Sequence, residues 1–313
     1  MWSRRRYLLH RAVQSLVMLW LVTLLVFLLL RLVPGDPAQM IAGDYAGRDV
    51  VESIRRALGL DRPLYEQYLV YMRNLLRGDM GVSIRAQRPA LPYVLERLPA
   101  TGELAVAAFG VAVAVGLPLG IVAAVRRRSL WDALASACAL LGQSVPSYWL
   151  GLMLMVIFAV HLRLLPTSGR GSFLHLIMPG VTLASWMIGL ITRLTRSGLL
   201  DVLLQDYIRT ARAKGLPERD VVSRHALRNA LIPIVTVLGL QIGTLLGGAV
   251  VTETVFAWPG MGLLVVQAVS QRDYPVVQAI VLLSALVFVV VNFAVDVLYQ
   301  YLDPRISYEG ARE

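Results

Sequence analysis

The sequence predicts an all-α integral membrane protein with six transmembrane helices and with both termini in the cytoplasm. Three features support this prediction. The chain is 57% hydrophobic and only 16% charged, with a mean hydropathy of +0.64, whereas soluble domains are about 45–50% apolar and about 25% charged. Its apolar residues fall into six long uncharged runs, and its basic residues cluster between alternate runs. This composition excludes both a soluble globular domain and a disordered chain.

Each uncharged run has about the length of one membrane-crossing helix. The runs are residues 12–30, 104–125, 133–160, 176–192, 229–252 and 274–295. About 20 residues of α-helix cross a hydrocarbon core about 30 Å thick, and lipid offers no partner to an unpaired backbone group. The fourth run is the shortest, but Arg193 and Arg196 at its end can extend toward the lipid headgroups.

These runs predict the organisation of the whole chain. A cytoplasmic N-terminus and first transmembrane helix (1–33) precede an extracytoplasmic segment (34–100), a five-helix transmembrane core (101–302) and a cytoplasmic tail (303–313). The helices of the core are predicted at 101–125, 132–160, 176–196, 229–252 and 274–302. A cytoplasmic loop, residues 197–228, lies between the third and fourth of these core helices.

The distribution of Arg and Lys sets the predicted orientation. With the N-terminus inside, the cytoplasmic segments hold 17 of the 30 basic residues, whereas the two short outside loops hold only Arg163, Arg170 and Arg272. Such an excess of positive charge is typical of short cytoplasmic loops. Topology therefore explains the net charge of +10, and binding to nucleic acid is not predicted.

The extracytoplasmic segment is predicted to hold two short helices, 49–58 and 64–76. Gly59 ends the first helix, Asp61 can cap the second, and Pro63 suits its first turn. Nine basic and eight acidic side chains between residues 34 and 98 predict a solvated cap without a catalytic cluster.

The cytoplasmic loop is predicted to form two helical stretches, 201–214 and 217–228, joined at Gly215. Glycine suits the left-handed position that follows a helix, and Pro217 suits the first turn of the next one. The second stretch carries an apolar stripe of Val221, Val222, Ala226 and Leu227. An amphipathic helix of this kind lies on lipid headgroups or inserts into a groove of a partner protein, and the residues alone leave both interpretations open.

Two stretches of this loop resemble the cytoplasmic signature of binding-protein-dependent ABC importer permeases. They are Arg209-Thr210-Ala211-Arg212-Ala213-Lys214-Gly215 and His225-Ala226-Leu227-Arg228-Asn229-Ala230-Leu231-Ile232-Pro233. The general signature has a Glu-Ala-Ala-like triplet, a glycine four residues after its last alanine, and a hydrophobic-Pro ending. This chain has Arg209 in place of Glu, Thr210 in place of the first Ala and Arg228 in place of Pro. Those departures resemble the peptide branch, whose members import dipeptides, oligopeptides, glutathione or nickel.

Further segments resemble the same branch in the same order along the chain. They are residues 34–37, 58–64, 78–83, 253–262 and 272–275. The resemblance covers nearly the whole chain and is closest to the B-type permease of dipeptide and glutathione importers. It implies a type I ABC importer permease fold in the inner membrane of a bacterium.

The resemblance also implies a mechanism. A coupling helix at about 216–228 would dock in a groove of an ATPase subunit, and closure of the ATPases would drive alternating access. The residues carried over to this contact are Arg209, Thr210, Ala211, Arg212, Lys214, Gly215, Arg219, Arg224 and His225.

The implied assembly contains a second homologous permease, two ABC ATPase subunits and an extracytoplasmic substrate-binding protein, embedded in membrane lipid. The sequence has no Gly-x-x-x-x-Gly-Lys-Ser/Thr run to hold nucleotide phosphates. We therefore expect that the chain is not an enzyme and binds no cofactor, with ATP and Mg²⁺ on the ATPase subunits. The implied substrates are dipeptides and oligopeptides, including glutathione. A nickel complex is the alternative, because the binding protein selects the substrate.

Few polar residues lie within the predicted helices. Ser144 and Tyr148 beside Pro146, together with Gln241 and Thr244, are candidates for the substrate pathway. Pro146 is expected to unwind its helix locally, because proline removes a backbone hydrogen bond.

Gly239, Gly243 and Gly247 recur every four residues in the helix 229–252, a spacing that allows close helix packing. That packing lies either within one chain or between two permeases. Cys138 is expected to be a buried apolar filler, and Asp296 a structural anchor near the cytoplasmic end of the last helix.

Two other functional classes fit the sequence less well. A secondary transporter would show repeated halves and buried ionisable residues, yet Asp296 is the one carboxylate predicted well inside a helix. An intramembrane enzyme would need paired His, Asp or Ser–His residues at membrane depth. His10, His161 and His175 have no Cys or carboxylate at ligand spacing, so no metal site is predicted.

Overall fold

The computed structural model describes residues 2–32, 37–42, 47–57 and 59–302. In these residues the chain forms α-helices and two π-helical segments, and its one extended pairing is an isolated bridge between Val82 and Pro89. The prediction of an all-α protein is confirmed. The chain divides into two compact units, residues 1–98 with 264–290 and residues 99–263 with 291–313. The predicted tail 303–313 and the segment 34–36 lie outside the described residues.

The helices that begin before residue 98 are α1 (Trp2–Leu32), α2 (Pro37–Ala42), α3 (Arg48–Ala57), α4 (Leu64–Leu76) and α5 (Ala90–Leu95). Pro63 is the N-cap of α4, and no side chain caps that helix. The predicted capping by Asp61 is therefore wrong, because the chain enters α4 through Pro63, whose ring already holds a helix-compatible φ of −55°.

The remaining helices are α6 (Leu98–Val125), α7 (Leu130–Ser144), α8 (Ser147–Leu154), α9 (Phe173–Leu203), α10 (Asp206–Ala213), α11 (Glu218–Asp220), α12 (Leu227–Val255), α13 (Met261–Ser270) and α14 (Tyr274–Leu302). One π-helical segment, Met155–His161, continues α8, and another, Val221–Ala226, joins α11 to α12.

Four helical segments of the described chain are long and apolar enough to cross a membrane. They are His10–Leu29, Ala90–Val125, Phe173–Leu203 and Tyr274–Val295. Two bent pairs also pass by length and composition, Leu130–Ser144 with Ser147–His161 and Glu218–Leu231 with Pro233–Leu245. The described residues therefore hold six spans if each bent pair counts as one.

The predicted helix 132–160 is a sharply bent pair. α7 and α8 meet at 107°, at the position where proline was expected to disturb the helix. Val145 is extended, with φ −78° and ψ 126°, because the ring of Pro146 disfavours the helical conformation in the preceding residue. The effect of Pro146 is thus a change of chain direction, which is larger than the local unwinding expected.

The second unit is built around α9. This helix contributes Leu183, Ala184, Met187 and Ile191 to the main buried core, which it shares with α6 and α12. The helices α6 and α7 approach α9 closely at glycine residues. A β-carbon at Gly120 of α6 would lie 2.8 Å from the carbonyl oxygen of Thr192, and one at Gly189 would overlap the carbonyl oxygen of Ala139 in α7. Only glycine allows these backbones to pack at this distance.

The glycines predicted to pack α12 do not all do so within this chain. Gly243 is buried and Gly239 is half-buried, but a β-carbon at Gly247 would meet no atom within 4 Å. Gly247 therefore does not pack within this chain, because the side of α12 that carries it is uncovered. The other interpretation of its spacing, packing between two permeases, stays a prediction.

An ion pair joins α7 to α9. Arg196 Nε donates to Asp132 Oδ1 at 2.6 Å and Nη2 donates to Oδ2 at 3.0 Å, while the backbone N–H of Arg128 also donates to Asp132. Asp132 is buried. The expected extension of Arg196 toward headgroups is wrong, because its guanidinium is held by this carboxylate.

Cys138 lies on a different face of the same helix. The buried side of α7 is formed by Asp132, Ala135 and Ala139, and Cys138 is exposed. Its predicted role as a buried filler is therefore wrong, because it points away from the helices that cover α7.

A fully buried carboxylate, Glu253, ties the end of α12 to the start of α6. Thr101 Oγ1 donates to Glu253 Oε1 at 2.7 Å, and the backbone N–H of Leu263 donates to Oε2 at 2.9 Å. Thr101 Oγ1 in turn accepts from the backbone N–H of Met261 at 2.8 Å. Glu253 was predicted to lie one residue beyond the helix 229–252, but it lies within α12. Asp296 is therefore not the one carboxylate within a helix, contrary to the prediction from the sequence.

In the first unit, Asp273 holds the turn at residues 83–85. Its carboxylate accepts hydrogen bonds from Ser83 Oγ at 2.5 Å and from the backbone N–H groups of Ile84 and Arg85, both at 3.2 Å. Asp273 is only 3% exposed. Two of the recognised sequence segments, 78–83 and 272–275, therefore meet in this unit.

We expect Gly189→Ala to destabilise the protein and Gly247→Ala not to. Both glycines are helical, so alanine gains a similar helix propensity of about 1 kcal/mol at each. Only the β-carbon at residue 189 meets a backbone carbonyl, and overpacking costs about 1–3 kcal/mol. Thermal unfolding in one detergent should give a lower midpoint for Gly189→Ala than for Gly247→Ala. Equal midpoints would contradict the close packing of α7 on α9.

Candidate functional site

The basic loop, residues 197–228, comprises the end of α9, the short helix α10, a turn at 214–217, α11 and the following π-helical segment. The predicted first stretch, 201–214, is interrupted, since α9 extends to Leu203 and α10 begins at Asp206. The predicted second stretch does not end at residue 228, because helical backbone continues from Glu218 to Val255.

Helix α10 is amphipathic and short. Asp206 lies in its first turn, where a carboxylate complements the helix dipole. Ile208 and Ala211, three residues apart, form its buried side. Asn229 Nδ2 donates a hydrogen bond to Tyr207 Oη at 2.8 Å, which joins α10 to the start of α12.

An apolar cluster within the second unit packs against the inner side of the basic loop. Its buried members are Ala124, Leu199, Ile208, Ala211, Val221, Ala226 and Ala230. These residues come from α6, α9, α10, the π-helical segment and α12. The loop is therefore packed onto the helices of its own chain.

This packing corrects the interpretation of the apolar stripe. Val221 and Ala226 are fully buried in the cluster, and Val222 packs against it. The stripe was expected to face lipid headgroups or a partner's groove, but it faces the interior of its own chain. Periodicity shows that one side of a helix is apolar, and it does not show what covers that side.

Gly215 forms the turn that the sequence predicts. Its φ is 77°, a conformation that residues with a β-carbon rarely adopt. Its N–H donates to the carbonyl of Arg212 at 2.9 Å, and the N–H of Leu216 donates to that of Ala211 at 3.4 Å. These two bonds are those of a Schellman motif. A β-carbon at Gly215 would meet no atom within 4 Å, so the turn stands clear of the rest of the chain.

A bidentate ion pair closes this turn. Arg212 Nε donates to Glu218 Oε2 at 3.0 Å and Nη2 donates to Oε1 at 2.7 Å. These hydrogen bonds raise the pKa of Arg212 above its ordinary value. Weaker pairs lie alongside, with 3.6 Å between Arg209 Nη1 and Asp206 Oδ1. Sequence analysis missed Glu218, although its position beyond a Gly-x-Pro turn was a usable signal.

Most of the predicted coupling residues are exposed. Arg209, Thr210, Arg212, Lys214, Gly215, Arg219, Arg224 and His225 are exposed, and Ala211 is buried. Lys214 is the one lysine in the sequence. We name the part from Arg209 to Arg219 the polar face of the basic loop.

The predicted pathway residues lie at two places. Ser144 and Tyr148 are exposed on either side of the bend between α7 and α8. Thr244 Oγ1 donates to the backbone carbonyl of Gln241 at 2.7 Å and lies 2.9 Å from Gln241 Oε1. Thr244 therefore satisfies its hydroxyl within α12.

One side of α12 is uncovered in this chain. Thr244, Gly247, Gly248, Val251 and Thr254 are exposed along it. These residues are small or polar, unlike the leucine-rich exposed surface of α1. Within the described residues, no group of His, Cys, Asp and Glu side chains could hold a metal ion.

Comparison with known proteins identifies the family. Residues 116–308 match the binding-protein-dependent transport system inner membrane component, and residues 4–105 match the N-terminal part of such membrane components. The glutathione transport system permease protein GsiC of Escherichia coli K12 is 45% identical over 303 residues, covering 97% of this chain and 99% of the relative. GsiC of Shigella flexneri serotype 5b has the same identity and coverage.

Solved structures show the same fold. The MetNI methionine ABC transporter in an inward-facing conformation matches with a TM-score of 0.57 at 20% identity, covering 67% of this chain and 96% of that one. An amino acid ABC transporter with histidines matches with a TM-score of 0.55 at 14% identity, covering 67% and 94%.

These matches agree with the apolar helices and with the recognised segments. The protein is a multi-pass protein of the inner membrane. The chain belongs to the family of inner-membrane permease components of binding-protein-dependent ABC importers.

Proposed function

We propose that this permease imports dipeptides or oligopeptides, including glutathione, and that its basic loop faces the cytoplasm and docks against an ATPase subunit. The chain itself binds no cofactor. Two ABC ATPase subunits bind ATP and Mg²⁺, and an extracytoplasmic binding protein delivers the substrate. Closure of the ATPases rocks this chain against a second homologous permease, so that the pathway opens to alternate sides.

The polar face of the basic loop is the observation that carries this proposal. The outer side of the basic loop is polar and exposed, while Ile208, Ala211 and Val221 anchor the inner side of the loop in a buried cluster. A loop that only connects two helices does not need such an anchor. A surface that transmits movement from a partner needs this anchor, because the packed cluster passes a displacement of α10 on to α9.

The uncovered side of α12 supports a contact with the second permease. Lipid contact favours long apolar side chains, whereas close helix association favours small ones. Gly247 and Gly248 are exposed on this side, near Thr244. We infer that the second permease packs here and that Gln241 and Thr244 lie beside the pathway, with Ser144 and Tyr148 at the bend.

The substrate assignment rests on the relatives. Relatives that are 45% identical over nearly their whole length are named glutathione transport permeases. In proteoliposomes containing both permeases, the ATPases and the binding protein, we expect ATP-dependent uptake of labelled glutathione or a dipeptide. Uptake confined to a nickel complex would contradict this substrate class, and uptake by the chain alone would contradict the need for ATPases.

We expect Gly215→Trp to abolish ATP-dependent uptake while the protein still inserts and folds. The left-handed backbone costs a residue with a β-carbon about 1–2 kcal/mol, and a β-carbon at this position meets no atom of this chain within 4 Å. The indole would instead project from the polar face and obstruct the docking of the ATPase. Uptake and co-purification of the ATPase subunits with a tagged permease measure this effect.

Two variants serve as controls for Gly215→Trp. Gly215→Asn keeps a residue that tolerates the left-handed conformation and should retain most uptake. Gly169→Trp places the same side chain at another glycine with positive φ, 85°, and no neighbours within 4 Å, and should retain the ATPases. Equal co-purification with Gly215→Trp and Gly169→Trp would contradict docking at the polar face.

A further inference from the structure

One side of α4 is attached to the transmembrane helix α1. Tyr68 Oη lies 2.9 Å from Thr23 Oγ1, and Arg31 Nε donates to Gln67 Oε1 at 2.9 Å. The ring of Phe27 packs edge-on against Tyr68, with 5.2 Å between centroids. These contacts fix α4 against the last three turns of α1.

The contacts also set the depth of α4. Thr23 and Phe27 lie inside the apolar span His10–Leu29, and Arg31 lies just beyond its end. At 1.5 Å per residue, Thr23 is about 9 Å inside that end of the span. The attached face of α4 therefore lies between the outer part of the apolar span and its end, close to the boundary of hydrocarbon and headgroups, a zone in which tyrosine is enriched.

A second side of α4 is apolar and exposed. Tyr65, Leu69 and Leu76 are 66%, 64% and 83% exposed. Their spacing of four and seven residues places them in one row along the helix. We name this row the α4 ridge. It does not include Gln67 or Tyr68, which face α1.

The surroundings of the α4 ridge match a lipid interface. On the attached span, Leu25 and Leu29 are 56% and 53% exposed, so α1 presents an apolar surface on the side turned away from Phe27 and α4. Arg73 and Arg77 are exposed beside the ridge and at the end of α4. Arginines in such positions extend their guanidinium groups to headgroup phosphates while their stems contact apolar surface.

We propose that α4 is an interfacial helix whose ridge of Tyr65, Leu69 and Leu76 inserts into the outer part of the bilayer. The occupant of this surface is lipid, with anionic headgroups near Arg73 and Arg77. This placement replaces the fully solvated cap predicted for residues 34–98, because charge balance describes the segment as a whole and does not describe one helix face. The ridge gives the region beyond α1 a second attachment to the membrane.

Site-directed spin labelling of the full chain in lipid nanodiscs tests this placement. Cys138→Ala removes the native thiol, and a nitroxide is attached at Leu69→Cys, with Tyr65→Cys as a second position in case one variant fails to fold. The discs contain phosphatidylethanolamine and phosphatidylglycerol. Leu25→Cys provides a lipid-facing control and Glu52→Cys, exposed on α3, provides a water-facing control.

We expect the labels on the ridge to collide with oxygen more than with a water-soluble nickel chelate, as the label at Leu25 does. Their depth should be on the order of 5–10 Å below the phosphates. Nickel accessibility equal to that at Glu52 would overturn the proposal, as would shielding from both reagents. Nickel accessibility that falls only when a substrate-binding protein is added would assign the ridge to protein docking instead.

Discussion

The close approach of α9 to α6 and α7 is the constraint on which the second unit depends. At Gly120 and Gly189 no β-carbon fits, so the helix backbones themselves are in contact. With α9 held in this way, its C-terminal part supplies Leu199 to the cluster beneath the basic loop. The same register brings Arg196 to Asp132. The proposed docking surface therefore rests on a closely packed helix, because Ile208 and Ala211 of α10 lie in the same buried cluster as Leu199 of α9.

Buried carboxylates join the turns of this protein to its helices. Glu253 and Asp132 in the second unit and Asp273 in the first each accept several hydrogen bonds. An uncompensated buried charge is costly, and these bonds offset that cost. Glu253 and Asp273 belong to the segments 253–262 and 272–275, by which the family was recognised. The buried carboxylates of those segments hold the fold together, and the residues proposed to contact the ATPase lie elsewhere, on the polar face of the basic loop.

Sequence reasoning succeeded where one local property decides the outcome. Uninterrupted apolar runs predicted the long helices, and the turn residue Gly215 was placed at the end of α10 because left-handed backbone strongly favours glycine. It failed where the outcome depends on which residues pack against a given side chain or helix face. The partner of Arg196 is 64 residues away, the stripe of Val221 and Ala226 is covered by its own chain, and the close contact at Gly189 was not predicted. Periodicity shows which side of a helix is apolar, but only the folded structure shows what packs against that side.

The polar face of the basic loop is proposed to meet an ATPase subunit, and the single lysine of the sequence lies on that face. An amine-reactive photo-cross-linker can react with this chain only at Lys214 and at the N-terminus, so peptide mapping of cross-links in the assembled transporter tests the contact without adding a new attachment site. We expect Lys214 to be joined to an ATPase subunit, and we expect that cross-link to be lost in Lys214→Arg. A cross-link from Lys214 to the substrate-binding protein, or none to an ATPase in an active complex, would contradict both the orientation of the loop and its role in coupling.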